Sequence, residues 1–306
     1  MKNKIIFLMG PTASGKTDLA IKLIQDFPLD IISVDSALIY KGMDIGTAKP
    51  SEEELSLAPH RLINIIDPKH TYSVANFRMD ALKEIKLVWD KGRVPILVGG
   101  TMLYFKSLVD GLSNLPESNP LIRANLENLL INKGINFLYE QLKILDVETA
   151  SKLHPNDTQR ILRALEVCEI SKKTMSELLR ERKQNFELNP LQLALLPEDR
   201  KKLHDKIEKR FLDMIKKGFI EEVETLFSRG DLKSNMPSIR AVGYRQIWKY
   251  LQGEYLLDEA VYRAICATRQ LAKRQITWLR SWNNLNIVDP YKYDDVNLLV
   301  NNYLNS

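Results

Sequence analysis

The sequence has few of the residues that build metal centres and disulfide frameworks. Its 306 residues include two cysteines, Cys168 and Cys266, far apart and without zinc-ligand spacing. A disulfide-stapled secreted scaffold is excluded, and a reducing cytosol fits. The four histidines, His60, His70, His154 and His204, show no ligand spacing either. No apolar stretch approaches the roughly 20 residues needed to span a bilayer. The apolar run after Lys2 and Lys4 ends at Gly10, too soon for a signal-peptide core, and no small-residue cleavage pattern follows. These absences predict a soluble, cytoplasmic protein without a membrane partner. Internal repeats and low-complexity tracts are absent too. What remains is ordinary globular composition, 44% hydrophobic and 27% charged, which excludes wholesale disorder.

Charge is nearly balanced overall, at +5. It is not evenly spread. Residues 199–282 hold 18 basic and 11 acidic groups (+7), whereas residues 1–110 carry +1 and residues 111–198 carry −1. A basic C-terminal half suggests a polyanionic partner, although a charge run is often only a solvated face.

Apolar runs of strand length alternate with helical patterns over the first 110 residues. Residues 5–9, 29–34 and 94–98 read as buried strands, and residues 15–26 and 74–91 as helices. A further helix follows residue 101, and residues 40–60 read as loop. This alternation predicts an α/β fold with a parallel sheet. From about residue 116 the pattern turns helical, over 121–130, 137–145, 157–170 and 174–185. Residues 191–196 return to strand. Helices then dominate, at 200–217, 218–228, 240–251 and 257–281. The expected architecture is one α/β core, residues 1–115 and 190–306, interrupted by a helical insertion at 116–189.

Gly10, Pro11, Thr12, Ala13, Ser14, Gly15, Lys16 and Thr17 match G-x-x-x-x-G-K-[ST] between a strand and a helix. Such a loop wraps backbone N–H groups around a diphosphate, and the next helix points its positive end at the same oxygens. Lys16 would reach the terminal phosphate and the Thr17 hydroxyl would ligate Mg²⁺. The motif makes the core P-loop NTPase-like and marks a nucleotide-binding, nominally ATP-binding, loop. It does not choose between ATP and another diphosphate ester. The later strands lack a terminal acid to hold magnesium; 94–98 runs into Gly99, Gly100 and Thr101. The acid that does end a strand is Asp35. It is a candidate base at the carboxyl end of the sheet, or else a cap on the following turn.

On a helical projection of residues 257–281, Arg263, Arg269, Gln270, Lys273, Arg274, Thr277 and Arg280 share one face. Residues 263–280 contain no acid. Such a stripe suits a phosphate backbone. Arg210 lies in a second basic stretch near Lys206 and Lys217. It would either neutralise a leaving diphosphate or stand as a surface arginine.

Together these motifs resemble the bacterial tRNA dimethylallyltransferases, also called tRNA isopentenyltransferases. The matching blocks are GPTASGKT (10–17), DSALIYKGMDIGTAKP (35–50), VGGTMLYFKSLVDGL (98–112), NDTQRILRALEV (156–167), RFLDMIKKGFIEEV (210–223), SIRAVGYRQIW (238–248) and TRQLAKRQITWLR (268–280). The resemblance implies transfer of a dimethylallyl group from dimethylallyl diphosphate to N6 of an adenine. That adenine lies 3′ of the anticodon, at position 37, in tRNAs reading codons that begin with U. It implies that the phosphate loop holds the prenyl diphosphate with Mg²⁺ as cofactor, that Asp35 hydrogen-bonds N6 and acts as base, and that Thr101 and Arg210 complete the catalytic set. The implied tRNA contacts begin with Asp35, Ser36, Ala37, Leu38 and Thr101. Arg123, Gln159, Arg160, Ile161, Leu162 and Arg163 carry them onto the insertion, which resembles the family's mobile domain. Arg240, Ala241, Val242, Gly243, Tyr244 and Arg245 add a third group. Lys273, Arg274, Gln275, Ile276, Thr277, Trp278, Leu279 and Arg280 add the last. The partner implied is the tRNA anticodon stem-loop; nothing in the sequence demands more than a monomer. Ala37 and Leu38 depart from the Arg-Gln found in many members.

Two other classes fit the phosphate loop: a small-molecule kinase with a helical lid, and a non-catalytic RNA-binding protein. The cationic stripe at 263–280 argues against the first, and Asp35 with Thr101 at strand ends argues against the second.

Overall fold

The computed structural model describes residues 3–113, 115–181 and 188–306. They fall into two compact units, the described residues of 1–109 with 188–306, and those of 110–187.

The first unit is built on a parallel sheet. Strand β1 (Ile6–Met9) is wholly buried and leads through the phosphate loop into helix α1 (Lys16–Asp26). Strand β2 (Leu29–Val34) follows, then the short helix α2 (Glu52–Leu57) and β3 (His60–Arg61). Helix α3 (Val74–Asp90), β4 (Val94–Gly99) and α4 (Met102–Asp110) complete the N-terminal half. Residues 40–60 are therefore not loop throughout. Ser51 and Glu54 form a reciprocal capping box that starts α2.

In the second unit, α5 (Pro120–Leu145) breaks at Gly134, whose φ is +78°. Helices α6 (Val147–Ser151), α7 (Thr158–Ser171) and α8 (Met175–Arg180) follow. The expected helix at 174–185 corresponds to α8; residues 182–185 of it lie outside the described residues. Leu126, Leu138, Leu142, Ile161, Leu162 and Leu165 form this unit's own core.

The chain returns to the sheet as β5 (Leu191–Leu195) and continues through α9 (Arg200–Lys216), α10 (Phe219–Ser228), α11 (Tyr244–Leu251) and α12 (Leu257–Arg280). It closes with β6 (Asn286–Val288) and α13 (Tyr293–Asn305), two elements that sequence periodicity did not reveal. Helix α11 starts at Tyr244, after Gly243 at φ +92°, later than the expected 240.

The sheet order is β3-β2-β4-β1-β5-β6, and every pairing is parallel. Unbroken apolar strands are what a sheet covered on both faces requires. Phe7, Met9, Ile32, Val34 and Leu97 pack with α3 and α4 on one face; Ile6, Leu8, Ile31, Ile96 and Val98 pack with α1 and α13 on the other. Helices α9 to α12 build a third apolar cluster with Ile39, Tyr40 and Met43. The phosphate loop, Asp35 and Gly100 follow the carboxyl ends of β1, β2 and β4.

Candidate active site

A cavity of about 990 Å³ opens at those strand ends. Its lining includes the phosphate loop from Thr12, the turn after β2, the start of α4, and one face each of α9 and α12.

The phosphate loop is shaped by its own backbone. Gly15 has φ +86° and Ala13 has φ +61°. The left-handed turn at Gly15 is a conformation that a side chain disfavours. Ala13 packs against Leu203, Ile207 and Ala272, so α9 and α12 stabilise that strained geometry. The Lys16 ammonium folds back and donates to the Pro11 carbonyl (2.5 Å) and Ser14 Oγ (3.4 Å). Burial and the neighbouring Arg210 push the Lys16 pKa down to about 7, while Asp35 pulls it upward. Arg210 is a half-buried part of the cavity wall and not a surface arginine. Burial lowers its pKa and the Asp35 charge opposes that shift. Two basic side chains and one acidic side chain thus share this end of the cavity. Lys217, which helical spacing placed beside Arg210, is exposed and absent from the lining.

Asp35 makes the turn cap that one sequence reading expects. Its Oδ1 accepts from the N–H groups of Ala37 (2.8 Å) and Leu38 (3.3 Å), capping the turn. The same side chain lines the cavity and acts electrostatically on Lys16, Arg210 and Tyr104. Thr101 joins the two strand ends: its N–H donates to the Val34 carbonyl (3.3 Å) and its Oγ1 accepts from Ser36 N–H (3.1 Å).

Some residues expected to touch RNA have other work. Gln275 is buried; its Oε1 accepts from Thr12 N–H (2.9 Å) and its Nε2 donates to the Gly100 carbonyl (3.0 Å). It clamps the phosphate loop to the end of β4. Tyr244 is fully buried with its hydroxyl on Glu222, and Leu279 lies in the sheet core. Ile161 and Leu162 are core residues of the insertion. Arg163 donates to the buried Glu166 (3.0 Å) and the Pro116 carbonyl (2.6 Å), a packing role within its own unit. Arg160 is exposed beside Asp157, and Arg123 pairs with Glu127. Each of these buried side chains follows from helical periodicity: a contiguous block on a helix includes its inward face.

The cationic stripe is also partly neutralised by acids from outside it. Arg263 pairs with Glu259 and Arg269 with Glu208 of α9. Lys273, Arg274 and Arg280 remain exposed, and Arg274 and Trp278 line the cavity together with Arg240, Ala241 and Val242. Arg245 and Arg240 also line a smaller surface pocket with Trp248.

Sequence reasoning missed several contributors. Glu222 accepts three successive backbone N–H groups, of Asp44, Ile45 and Gly46. It fixes a loop whose Gly46, Thr47, Ala48 and Pro50 line the cavity. Gly46 rests on Phe219, where a Cβ would fall 2.0 Å from a ring carbon. Ser33 Oγ is buried, lines the cavity and has no hydrogen-bond partner among the described residues. The blocks 35–50 and 210–223 span Glu222, Phe219 and this loop without giving them a role, because the partners lie far apart in sequence; Ser33 lies outside every block.

A magnesium ion fits this lining only alongside substrate oxygens. Among the described residues no cluster of three or more His, Cys, Asp or Glu is present. Thr17 Oγ1 and the orphaned Ser33 hydroxyl are suitable oxygen donors, one for the ion and one for its hydration shell.

No helix among the described residues is long and apolar enough to cross a membrane. The sequence profile of the IPP transferase family matches residues 38–282. A tRNA isopentenylpyrophosphate transferase of Bacillus halodurans is 33% identical over 99% of this chain and 97% of its own, with a TM-score of 0.73. A tRNA delta(2)-isopentenylpyrophosphate transferase of Staphylococcus epidermidis is 34% identical over 98% of this chain and 99% of its own, with a TM-score of 0.70. A eukaryotic dimethylallyltransferase acting on tRNA is 27% identical over 96% of this chain and 76% of its own, at TM-score 0.79. With the profile spanning most of the chain and two relatives matching end to end, the chain belongs to the IPP transferase family.

Proposed function

We propose that the chain transfers a dimethylallyl group from dimethylallyl diphosphate to N6 of the adenine 3′ of the anticodon, in tRNAs reading codons that begin with U. The observation that carries this reading is the single cavity that puts Asp35 beside the Lys16 and Arg210 cations at the phosphate loop.

The chemistry divides between the two ends of that cavity. The loop N–H groups, Lys16 and Arg210 bind the diphosphate and stabilise its charge as the bond from C1 to oxygen breaks. The diphosphate leaves with the electron pair. The N6 lone pair forms the new carbon–nitrogen bond, and an N6 proton passes to the Asp35 carboxylate. Backbone N–H groups fix Asp35 through Oδ1, so its other oxygen is the acceptor. The Thr101 hydroxyl, accepting from Ser36, has its own proton available to orient the base. Thr17 would hold magnesium, which would supply positive charge at the leaving group. The adenine must be extruded from its loop to reach this depth. Lys273, Arg274 and Arg280 supply a basic approach for the RNA backbone.

A coupled release assay tests the reading. With unmodified tRNA, Mg²⁺ and dimethylallyl diphosphate, inorganic diphosphate should appear in step with RNA consumed. ATP in place of the prenyl diphosphate should give no ADP. ADP formed together with a phosphorylated metabolite would favour the kinase alternative.

A further inference from the structure

One cation on the phosphate side of the cavity has no part in the chemistry above. Lys206 sits on α9 one turn before Arg210, on the same face, and both line the cavity. Its Nζ donates to the Tyr291 hydroxyl at 2.6 Å and lies 5.2 Å from the centre of that ring. Tyr291 belongs to the turn between β6 and α13. Lys292 N–H closes that turn on the Asp289 carbonyl (3.1 Å), and Tyr291 N–H donates to Asp289 Oδ1 (2.9 Å). The same turn reaches the phosphate loop, since a Cβ on Gly15 would lie 3.9 Å from Pro290 Cβ. Pro290 and Tyr291 both line the cavity. The turn lies beyond the residues that the family profile matches.

We infer, on the reading that the cavity takes a prenyl diphosphate, that Lys206 is a further diphosphate-binding cation and that Tyr291 is its positioning residue. An ammonium carries three donors. One is engaged by the phenol, which leaves two for phosphate oxygens. A neutral phenol orders the amine without cancelling its charge. The long lysine stem otherwise loses rotamer freedom on binding, and holding it in advance reduces that cost. Arg210 and Lys206, a turn apart, then approach the diphosphate from α9 while the loop N–H groups approach from β1 and α1. The rim of the phosphate end is the turn 289–292.

Calorimetric titration of the full chain with magnesium and inorganic diphosphate tests this directly. Lys206→Met should weaken diphosphate binding roughly tenfold, the loss of one charge-assisted contact. Tyr291→Phe should weaken it roughly threefold by loosening the amine. In the Lys206→Met background, Tyr291→Phe should change nothing further. Affinity for an anticodon stem-loop RNA should stay within about twofold in all three variants, because exposed charges away from a contact contribute little. Lys206→Met binding diphosphate like the wild type would overturn the assignment. So would a loss confined to the RNA titration. An equal Tyr291→Phe loss with and without Lys206 would overturn the positioning role. A wild-type chain that fails to bind diphosphate at all would overturn the prenyl diphosphate reading itself, a result separable from the other three.

Discussion

Asp35 carries two demands on one carboxylate. Oδ1 holds the turn at 36–38, and the charge balances Lys16 and Arg210. Asp35→Asn keeps an oxygen for the turn and removes the base. Its transfer rate should fall about 10²- to 10⁴-fold, the range for a lost general base. RNA affinity measured by filter binding should change little; equal losses in both would make Asp35 a binding residue only. Lys16 gives a pH test. Its folded pKa, about 7, lies below its ordinary value of 10.5, so the ligand-free protein holds it largely neutral above pH 7. Binding a diphosphate favours the ammonium, and binding must take up a proton there. Wild-type diphosphate affinity should therefore fall as pH rises above 7, more steeply than in Lys16→Met. Titrations in buffers of different ionisation enthalpy would show it, and parallel pH profiles would contradict it. Gln275, expected among the RNA contacts, has structural work as well. Its amide pins Thr12 to Gly100 from inside the fold. Gln275→Ala should cost about 1–3 kcal/mol of stability, the penalty for stranding two buried backbone groups. The salt dependence of RNA binding should not move; a shallower slope would restore Gln275 as a phosphate contact.

At the scale of elements, α12 shows what a helical projection can and cannot tell. Periodicity placed Lys273, Arg274 and Arg280 on an exposed face, which is where they are. It could not show that Glu208, 61 positions away, would cross from α9 to Arg269. Lys273→Ala should therefore weaken RNA binding with a shallower salt slope, whereas Arg269→Ala should leave the slope nearly unchanged. Binding measured across a range of KCl concentrations separates the two, and identical slopes for both variants would remove the distinction. The longer strands were legible because they are mostly apolar runs in a sheet covered on both faces. β6 was not, since three residues carry no periodicity. α13 was hidden by its asparagines, and α2 by a loop-like composition despite the Ser51–Glu54 box. The phosphate loop could be read from local spacing alone. The Glu222 hold on residues 44–46 could not, because its partners meet only in the folded chain.

Over the whole molecule, the +5 charge is an average that conceals the layout. Lys16 on α1 and Arg210 on α9 come from the two sequence segments of the first unit and line the same cavity. That unit consists of residues 1–109 and 188–306, so its cavity draws on both sides of the insertion in sequence. Family resemblance supplied the reaction, and the fold supplied the reason one cavity suits it. The most direct measurement is the fate of a label. Labelled dimethylallyl diphosphate, unmodified tRNA and Mg²⁺ are incubated with the chain without ATP, and the RNA is digested to nucleosides. The label is expected on N6 of the adenine next to the anticodon. Label on another atom or another nucleoside, or none without ATP, would contradict the proposed transfer.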